Sequence, residues 1–477
     1  MKTTLLISCL AVSSAFAVTS PKFDGTKFLG NPLMDHHFTA DPTAVEYNGR
    51  LYVYGTNDHQ QYENPNAENK NTYEKIKTLT IMSTADMVNW TYHGEIPVGT
   101  IAPWIVNSWA PSVVSRKEAD GKTHFYLYFA NSGCGTGVLT ATDPLGPWTS
   151  PLQKSFIDPQ TPNIAGCKVP FDPGAAIAAD GTAYLAFGGG DLRIVKLGKN
   201  LLSFDGCATV PPVRYPNEAG ELNFFGKTLV YTYCTDWKPH DDWDVPGVPK
   251  PGACSMVYMK TDTPDDPKSW KMCGEYNANA FAFGNQACNN HTHLHKFKGT
   301  WYLLYHDQEL QMKLLGANHG YRNINVDVCE VDEKNVTIKP CKNTKEGVAQ
   351  VEKLNPYVRV EAETAAATAS VAFKPAEKPG NMIAVPKESG AFVAVRGVDF
   401  GSKGAKRFAL RARGKGRVEA RLGKPDGTRV AAVEISEGVD FKKLAARLEA
   451  SATGVHDLFL VMTGAIEFDC WQFVSAK

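Results

Sequence analysis

One short pattern occurs five times in this chain: a turn centred on glycine leads into a strand rich in aromatic residues. The strands include Leu51-Tyr52-Val53-Tyr54 and Trp301-Tyr302-Leu303-Leu304-Tyr305, and the turn glycines are Gly49, Gly121, Gly181, Gly226 and Gly299. Tight turns that lead into such strands predict β-hairpins. The glycines are 45 to 73 residues apart, close to the repeat length of propeller blades with inserted loops. We therefore predict an all-β fold that begins with a five-bladed β-propeller, whose innermost strands line a central channel.

A polar residue stands eight or nine positions before each turn glycine. In chain order these residues are Asp41, Ser112, Asp172, Glu218 and His291. If they lie on the innermost strands, their side chains meet at one end of the channel. Taken singly, an aspartate before proline is typical of a turn and a lone glutamate of a solvated surface. The shared offset from the repeated turn favours a functional cluster instead.

The composition changes sharply near residue 350. Eight of the 9 tryptophans and all 18 tyrosines lie at or before Tyr357, and the remainder is rich in Ala, Val, Lys and Arg. Apolar and polar residues alternate in segments such as 407–413 and 417–422, which predicts a β-sandwich of the jelly-roll type. We predict a propeller domain over 28–345, a linker over 346–357 and a sandwich domain over 358–477.

The N-terminus predicts export. Lys2, the apolar stretch 5–12 and Ala15-Phe16-Ala17 fit a secretory signal over residues 1–17, so the mature protein is expected to be secreted. No later stretch is long and apolar enough to cross a membrane. The formal net charge is zero and no basic run carries interleaved aromatic residues, which argues against nucleic acid as a partner.

The cysteines indicate disulfide bonds. Removal of the signal leaves ten of the 11 cysteines, an even number that suits an oxidising compartment. Cys254 with Cys273 and Cys329 with Cys341 are the short-range candidates. None of the cysteines has the paired spacing of a zinc site.

Three carboxylic acids in the predicted cluster suit the hydrolysis of a glycosidic bond. That reaction needs one protonated carboxyl group to protonate the leaving oxygen and one ionised group to activate water or attack carbon. Asp41, Asp172 and Glu218 supply these two and leave one over. A third ionised group near the acid raises the pKa of the acid by like-charge repulsion.

The order of these motifs resembles glycoside hydrolase family 43 over about residues 28 to 345. The segments that carry the resemblance are Phe38-Thr39-Ala40-Asp41-Pro42-Thr43, Trp109-Ala110-Pro111, Asp172-Pro173, Glu218-Ala219, Asn290-His291 and Tyr321-Arg322. The resemblance implies the five-bladed propeller already predicted from the repeats. In that family an acidic residue commonly follows Trp-Ala-Pro, whereas Ser112 follows it here.

The resemblance also implies roles for individual residues. Asp41 would be the general base and Glu218 the general acid of an inverting mechanism, and Asp172 would orient the acid and raise its pKa. Glu221, three positions after Glu218, is the alternative acid. An inverting enzyme keeps its base and its acid roughly 6.5 to 9.5 Å apart, which leaves room for the attacking water.

Three further residues are predicted to contact substrate. His291 resembles the family's channel histidine, which is often associated with a calcium ion or a water, Arg322 is expected near the acids, and Trp109 is the candidate sugar-stacking ring. His293 and His295 alternate with His291 as in a strand. That spacing spreads three rings along the channel and disfavours a compact transition-metal site.

The C-terminal region resembles a family 6 carbohydrate-binding module. The resemblance rests on Glu361-Ala362-Glu363, on Gly397-Val398-Asp399-Phe400-Gly401 and on Phe468-Asp469-Cys470-Trp471-Gln472-Phe473. It implies a structural calcium ion held by Glu361, Glu363 and Asp469. The segment 463–467, expected to be the loop before the last strand, lacks the aromatic residue and the asparagine of the family's usual binding cleft.

Together these features predict a secreted, monomeric glycosidase without an organic cofactor, acting on plant cell-wall hemicellulose. The substrate expected is arabinoxylan or xylo-oligosaccharide, and the activity expected is that of an α-L-arabinofuranosidase. A β-xylosidase shares the same catalytic acids and is the alternative, with endo-arabinanase behind it. A propeller that binds sugar without catalysis would need the aromatic residues but not the three acids together.

Overall fold

The computed structural model describes residues 18–476, so the export signal predicted over residues 1–17 lies outside the described residues. The helices in the described part are short: α1 (Asp58–Glu63), α2 (Val98–Ile101), α3 (Glu309–Leu315) and the 3-10 turns Ser132–Cys134, Pro267–Ser269 and Ala280–Phe283. None of them is long and apolar enough to cross a membrane.

Eighteen strands form the five antiparallel blades of a propeller, and the predicted fold is confirmed. Blade 1 contains β1 (Ala40–Tyr47), β2 (Arg50–Thr56), β3 (Leu79–Thr84) and β4 (Trp90–Ile96). Blade 2 contains β5 (Trp109–Lys117), β6 (Thr123–Ala130) and β7 (Thr136–Ala141). Blade 3 contains β8 (Gly174–Ile177), β9 (Ala183–Phe187), β10 (Arg193–Leu197) and β11 (Phe204–Thr209). Blade 4 contains β12 (Glu221–Phe225), β13 (Thr228–Cys234), β14 (Met256–Thr261) and β15 (Lys271–Asn277). Blade 5 contains β16 (Thr292–Phe297), β17 (Thr300–Asp307) and β18 (Asn323–Val328).

The predicted turn glycines join the first and second strands of each blade. In blade 1 the pair Tyr47 and Arg50 closes a two-residue turn, in which Asn48 and Gly49 have φ values of 49° and 74°. Two left-handed central residues define the turn type whose twist matches a hairpin. The first strand of each blade packs against the first strand of the next, and β16 returns to β1, so these five strands surround the channel.

A segment before blade 1 links the two ends of the propeller. The Leu33 amide donates to the Ile324 carbonyl at 2.9 Å, and the Val326 amide donates to Asn31 Oδ1 at 2.9 Å. The Ile324 carbonyl and the Val326 amide both belong to β18 of blade 5. The chain therefore bridges its first and last blades through hydrogen bonds, which favours closure of the ring.

The C-terminal region is a β-sandwich, as predicted. After a two-stranded ribbon, β19 (Val331–Asp332) and β20 (Thr337–Ile338), it comprises β21 (Val360–Glu361), β22 (Thr364–Ala365), β23 (Ala367–Ala369), β24 (Val371–Pro375), β25 (Met382–Pro386), β26 (Ala391–Asp399), β27 (Ala405–Leu422), β28 (Thr428–Ile435), β29 (Lys442–Arg447) and β30 (Val455–Ser475). Its core is a cluster of buried aliphatic and aromatic residues around Phe408, Leu460 and Trp471.

The expectation of a loop at 463–467 is wrong. These residues lie inside β30 and pair with β27, with Gly464 opposite Gly416 and Ile466 opposite Gly414. A Cβ at Gly464 would lie 2.4 Å from the Lys415 carbonyl oxygen, so glycine permits the close pairing of the two long strands. Strand packing therefore explains the glycine at position 464.

The sandwich is bonded directly to blade 1. The short strand β22 pairs with β4, which places Thr364 opposite Thr91. Asn89 makes a reciprocal pair with Arg396, in which the Arg396 amide donates to Asn89 Oδ1 at 2.8 Å and Asn89 Nδ2 donates to the Arg396 carbonyl at 2.9 Å. Thr368 donates to the buried Asp35 carboxylate through its amide and its hydroxyl, each at 2.7 Å. The two domains therefore share backbone as well as side-chain hydrogen bonds.

One of the two disulfide candidates is present. Cys329 and Cys341 form a disulfide that joins the end of blade 5 to the segment after β20. The pairing of Cys254 with Cys273 is wrong, because the Cys254 sulfur lies against that of Cys234. Cys234 ends β13 and Cys254 precedes β14, so strand pairing brings these two together.

Candidate active site

Two aspartates of the predicted cluster stand at a backbone position that recurs between blades. Asp41 and Asp172 each have a left-handed φ of 50°, and the corresponding residues of blades 2 and 4 are Ala110 (φ 33°) and Ala219 (φ 61°). A left-handed φ is costly for residues other than glycine, and aspartate tolerates it better than most. Each of the four lies two positions before the first regularly paired residue of its innermost strand. The left-handed conformation interrupts the extended strand at this position. The four side chains therefore do not follow the strand's alternation between its two faces.

Ser112 does not join the acids, so that part of the sequence prediction is wrong. Its buried Oγ accepts a hydrogen bond from the Ala175 amide of the next blade at 2.9 Å. Thr43 does the same in blade 1, where its Oγ1 accepts from the Val113 amide at 3.1 Å. The hairpin of blade 2 is longer than that of blade 1. Counting back eight or nine positions from the turn glycine therefore reaches, in blade 2, a residue that lies deeper along the channel. That residue belongs to the paired part of its strand and bonds to the neighbouring blade.

Glu221 occupies this deeper position in blade 4. Its Oε1 lies 2.5 Å from Nδ1 of His293. Both side chains are buried in the hub, which is the centre of the propeller enclosed by the first strands of the five blades. Burial raises the pKa of Glu221 well above its usual range. A carboxyl group enclosed by the hub and bonded to a histidine is poorly placed to protonate a substrate oxygen. The geometry therefore favours Glu218 over Glu221 as the acid.

Asp41 is held by side chains of blades 1 and 5. Its Oδ1 accepts from Nη1 of Arg322 at 2.9 Å, and its Oδ2 accepts from the Thr56 hydroxyl at 2.7 Å. Its amide donates to Nδ1 of His306 at 3.1 Å, while Nε2 of that ring lies 2.7 Å from the Asn289 carbonyl. The carbonyl only accepts, so Nε2 of His306 carries a proton. Burial alone would raise the pKa of Asp41, but the Arg322 guanidinium together with His306 and His291 outweighs burial and holds this pKa far below its usual range.

Arg322 is itself fixed by a second acid and an aromatic ring. Its Nε and Nη2 donate to the two carboxylate oxygens of Asp58, each at 2.9 Å. Its guanidinium carbon lies 4.9 Å from the centre of the Tyr73 ring. A bidentate ion pair and a stacked ring restrict the guanidinium to one orientation. Arg322 can therefore present its remaining nitrogen to Asp41 without rearrangement.

Trp109 contacts the same aromatic ring rather than the acids directly. Its Nε1 donates to the Tyr73 carbonyl at 3.1 Å, and the two rings meet edge to face with centroids 6.0 Å apart. Asn107 also donates to the Tyr73 carbonyl, at 3.2 Å. Trp109 is partly exposed, so its contact with sugar stays a prediction. Its observed role is to hold the loop that carries Tyr73.

Glu218 and Asp172 lie close to each other and to Asp41. The Ala219 amide donates to Asp172 Oδ2 at 3.1 Å, and Asn289 Nδ2 donates to Glu218 Oε1 at 3.2 Å. Burial raises the pKa of Asp172, and repulsion from Glu218 and Asp41 raises it further. Burial likewise raises the pKa of Glu218 against the lowering effect of the Asn289 hydrogen bond. The pair therefore retains a proton at a pH where Asp41 is ionised.

Three histidines are neutral at pH 7: His291, which precedes β16, and His293 and His295, which lie in it. Nδ1 of His291 lies 3.5 Å from Asp41 Oδ1, and burial lowers the pKa of His291 to about 4 despite that carboxylate. Burial lowers the pKa of His293 to about 4 and that of His295 to about 3. His293 and His295 contact each other at 3.4 Å, and His293 also bonds to Glu221. That these rings do not form one metal triad stays a prediction.

Sequence reasoning missed five residues of the site: Thr56, Asp58, Tyr73, Asn289 and His306. Thr56, Asp58 and His306 share a signal that could have found them, since each lies at or just after the end of the second strand of its blade. The second strand runs back toward the end of the channel where the first began. Polar residues at both places therefore meet on one face of the propeller. Tyr73 and Asn289 lie in inserted loops and have no such periodic signal.

Replacing Asp58 with asparagine tests the support of Arg322. We expect the free energy of unfolding to fall by about 3 kcal/mol, because the substitution removes one charge of a buried ion pair, and we expect kcat/KM to fall as Arg322 loses its fixed orientation. Urea unfolding and initial-rate kinetics measure the two effects. Glu63→Gln on the same helix is the matched control, since the Glu63 side chain is 62% exposed. Equal stability of Asp58→Asn and the control would contradict this role.

The three acids predicted to hold calcium do not fit a calcium ion as arranged. Asp469 Oδ2 accepts from Arg411 at 2.9 Å and from Arg359 at 3.2 Å, and Arg359 also forms a bidentate pair with Glu361. Burial raises the pKa of Glu363 to about 9, which leaves it protonated at neutral pH. Guanidinium groups thus neutralise the acids that a cation would bind. Within residues 18–476 no group of three or more His, Cys, Asp or Glu side chains could hold a metal ion.

A propeller whose channel ends in one ionised carboxylate beside a pair of carboxyl groups that retains a proton defines the class of the protein as a glycosidase. Family models agree: "Glycosyl hydrolases family 43" matches residues 29–214 and "Carbohydrate binding module (family 6)" matches residues 361–475. The chain belongs to glycoside hydrolase family 43 and carries a C-terminal module of carbohydrate-binding family 6.

Full-length relatives support this assignment. An arabinoxylan arabinofuranohydrolase of Bacillus subtilis (strain 168) is 36% identical over 99% of this chain and 97% of its own length. An arabinoxylan arabinofuranohydrolase of Paenibacillus polymyxa is 34% identical over 98% of this chain and 78% of its own length. The crystal structure of a family 43 arabinoxylan arabinofuranohydrolase from Bacillus subtilis, in complex with cellotetraose, superposes with a TM-score of 0.87 at 33% identity and covers 96% of this chain and 99% of that one. The similarity therefore includes both domains.

Proposed function

We propose that this chain is an inverting α-L-arabinofuranosidase that removes arabinose side chains from arabinoxylan. The observation that carries the proposal is the opposed state of the carboxyl groups. Arg322 and the neighbouring histidines keep the pKa of Asp41 low, whereas burial and repulsion from Asp41 keep the pKa values of Glu218 and Asp172 high. A glycosidase needs one ionised and one protonated carboxyl group at the same pH. The choice of arabinoxylan follows the activity by which the two full-length relatives are named.

In the proposed reaction each carboxyl group has one task. Asp41 accepts a proton from a water that attacks the anomeric carbon of the arabinofuranosyl group. Glu218 donates its proton to the xylan oxygen, which leaves as a hydroxyl group. Asp172 lies beside Glu218 and makes its deprotonation less favourable. Arg322 and Thr56 orient Asp41 through the two hydrogen bonds on its carboxylate.

The anomeric form of the first product tests the proposal. Inversion at the anomeric carbon of an α-L-arabinofuranoside yields β-L-arabinose first, before mutarotation mixes the forms. Proton NMR during the first minutes of arabinoxylan digestion therefore should show the β anomer. Initial release of the α anomer would exclude single displacement with Asp41 as the base.

Paired aryl glycosides test the choice of sugar. We expect faster hydrolysis of 4-nitrophenyl α-L-arabinofuranoside than of 4-nitrophenyl β-D-xylopyranoside by the purified chain. The reverse preference would make the chain a β-xylosidase of the same fold. Release of arabinose from arabinoxylan, measured by anion-exchange chromatography, shows whether the polymer is a substrate.

Replacing Asp172 with asparagine should change the pH dependence of the reaction. The acid must be protonated to act, so activity falls as the pH rises through the pKa of Glu218. Removal of the neighbouring negative charge lowers that pKa, and the alkaline limb of the kcat/KM profile should therefore move to lower pH. The control is Asp24→Asn, which changes an exposed carboxyl group far from the cluster in sequence. An unmoved alkaline limb would show that Asp172 does not raise the pKa of the acid.

A further inference from the structure

Two cysteine sulfurs touch in the interior of blade 4. Sγ of Cys234 and Sγ of Cys254 are 3.4 Å apart, and both residues are fully buried. An S–S bond is roughly 2.05 Å long, so bond formation requires the sulfurs to approach by only about 1.3 Å. Burial raises the pKa of Cys234 well above its usual range, and the adjacent Cys254 sulfur adds to this effect. Deprotonation of Cys234 in the folded state is therefore unfavourable.

The pair stands directly behind the proposed acid. The Cys234 amide donates to the Glu218 carbonyl at 2.9 Å, and the Asn217 amide donates to the Cys234 carbonyl at 2.9 Å. These two bonds fix the backbone of Glu218 to the end of β13. A constraint on Cys234 is thus a constraint on the main chain that carries Glu218.

The pair also closes the base of a long loop. Residues 235–253 join β13 to β14, and hydrogen bonds from Thr235 to Ser255 and from Cys254 to Asp236 hold its two ends together. The loop includes Trp237, which is 50% exposed. Because β13 ends beside Glu218, this loop leaves the propeller on the face that carries the acids.

We propose that Cys234 and Cys254 form a second disulfide bond, which closes the 235–253 loop and anchors the strand end behind Glu218. The bond forms during folding, by exchange with a disulfide of a small molecule or of an oxidoreductase. The thiolate of one cysteine attacks that disulfide and displaces one of its sulfurs as a thiol. The second cysteine then displaces the other sulfur from the mixed disulfide.

The exchange is balanced in atoms and electrons. One S–S bond forms between Cys234 and Cys254 and one S–S bond of the oxidant breaks. The two electrons and the two protons of the cysteine thiols end on the two thiols of the reduced oxidant. Because both sulfurs are buried in the folded chain, native structure then protects the bond from reductant.

Peptide mapping tests the bond without any variant. The chain is unfolded, reduced and refolded in a mixture of reduced and oxidised glutathione, and free thiols are then alkylated in acid before a second unfolding. Digestion with trypsin and with a protease that cuts before aspartate places Cys234 in fragment 228–235 and Cys254 in fragment 244–260. Neither fragment contains another cysteine, so a linked pair identifies the bond uniquely.

We expect one species that contains both fragments and separates into two on reduction, with no alkyl group on either cysteine. Alkylation of Cys234 and Cys254 in the unreduced sample would overturn the proposal. So would a link from either fragment to Cys273 or Cys288. The known disulfide of Cys329 and Cys341 serves as the internal control for oxidation.

A thermal measurement separates the bond from a mere contact of thiols. In a Cys329→Ser, Cys341→Ser background, only the proposed bond responds to reductant. We expect reductant to lower the midpoint of thermal unfolding by on the order of 5 °C, because a loop of this length constrains the unfolded chain. Adding Cys254→Ser should remove that response. An equal midpoint with and without reductant in the first variant would contradict the bond.

Discussion

Glu218→Gln should lower kcat/KM on arabinoxylan by about a thousandfold, the size of effect typical of a lost general acid. The xylan oxygen is a poor leaving group and requires the proton that glutamine cannot supply. A 4-nitrophenyl arabinofuranoside has a leaving group that departs with little protonation. Its rate should therefore fall much less, and the ratio of the two losses, measured by initial rates, is the signature of the acid.

Glu221→Gln is the matched control for this experiment. Both residues are glutamates with raised pKa values in blade 4, but Glu221 bonds to His293 inside the hub. We expect Glu221→Gln to keep activity on both substrates within about threefold, since it leaves the acid untouched. A loss that depends on the leaving group in Glu221→Gln, with activity retained in Glu218→Gln, would transfer the acid to Glu221.

Asp41→Asn should abolish hydrolysis of both substrates to a similar extent. The base is needed to activate water whatever the leaving group is, so the loss is again about a thousandfold on each. Initial rates on arabinoxylan and on the aryl glycoside measure it. Asparagine is close in size to aspartate and retains an oxygen that can accept from Arg322 or Thr56, which favours a folded variant.

Circular dichroism and thermal unfolding show whether Asp41→Asn is folded. A folded variant with full activity would exclude Asp41 as the base. A loss confined to the polymer would also contradict the assignment, because it would give Asp41 the signature expected of the acid. The three variants together therefore distinguish base, acid and bystander among the buried carboxyl groups of the hub.

The repeated turn was enough to predict the propeller, since a tight turn between two strands is a local feature. Asn48 and Gly49 adopt the left-handed conformations that such a turn requires, and no distant contact is needed to explain them. The change of composition near residue 350 likewise predicted a second β domain. Turn residues and composition are local features of the sequence, and the folded structure has the elements that they predict.

Counting back from the turn was less reliable for individual residues. The count reached Asp41 and Asp172, but in blade 2 it reached Ser112, which bonds to the neighbouring blade. Hairpin length differs between blades, so the same offset corresponds to different depths along the channel. In blades 1 to 4 a left-handed residue before the inner strand marks the equivalent position, and a backbone angle of that kind is not visible in the sequence.

The sequence alone determined the all-β class, the five blades, the two domains and the acids that meet at the channel, because periodic turns and strands encode these features locally. Only the tertiary structure decided which acid is ionised. Asp41 receives its charge partner from Arg322, which lies 281 positions away, and Arg322 is oriented in turn by Asp58. Protonation depends on burial and on the distance between charges, and both are set only when distant segments pack together. For the same reason the contact of Cys234 with Cys254 and the guanidinium groups around Asp469 were seen only in the folded chain.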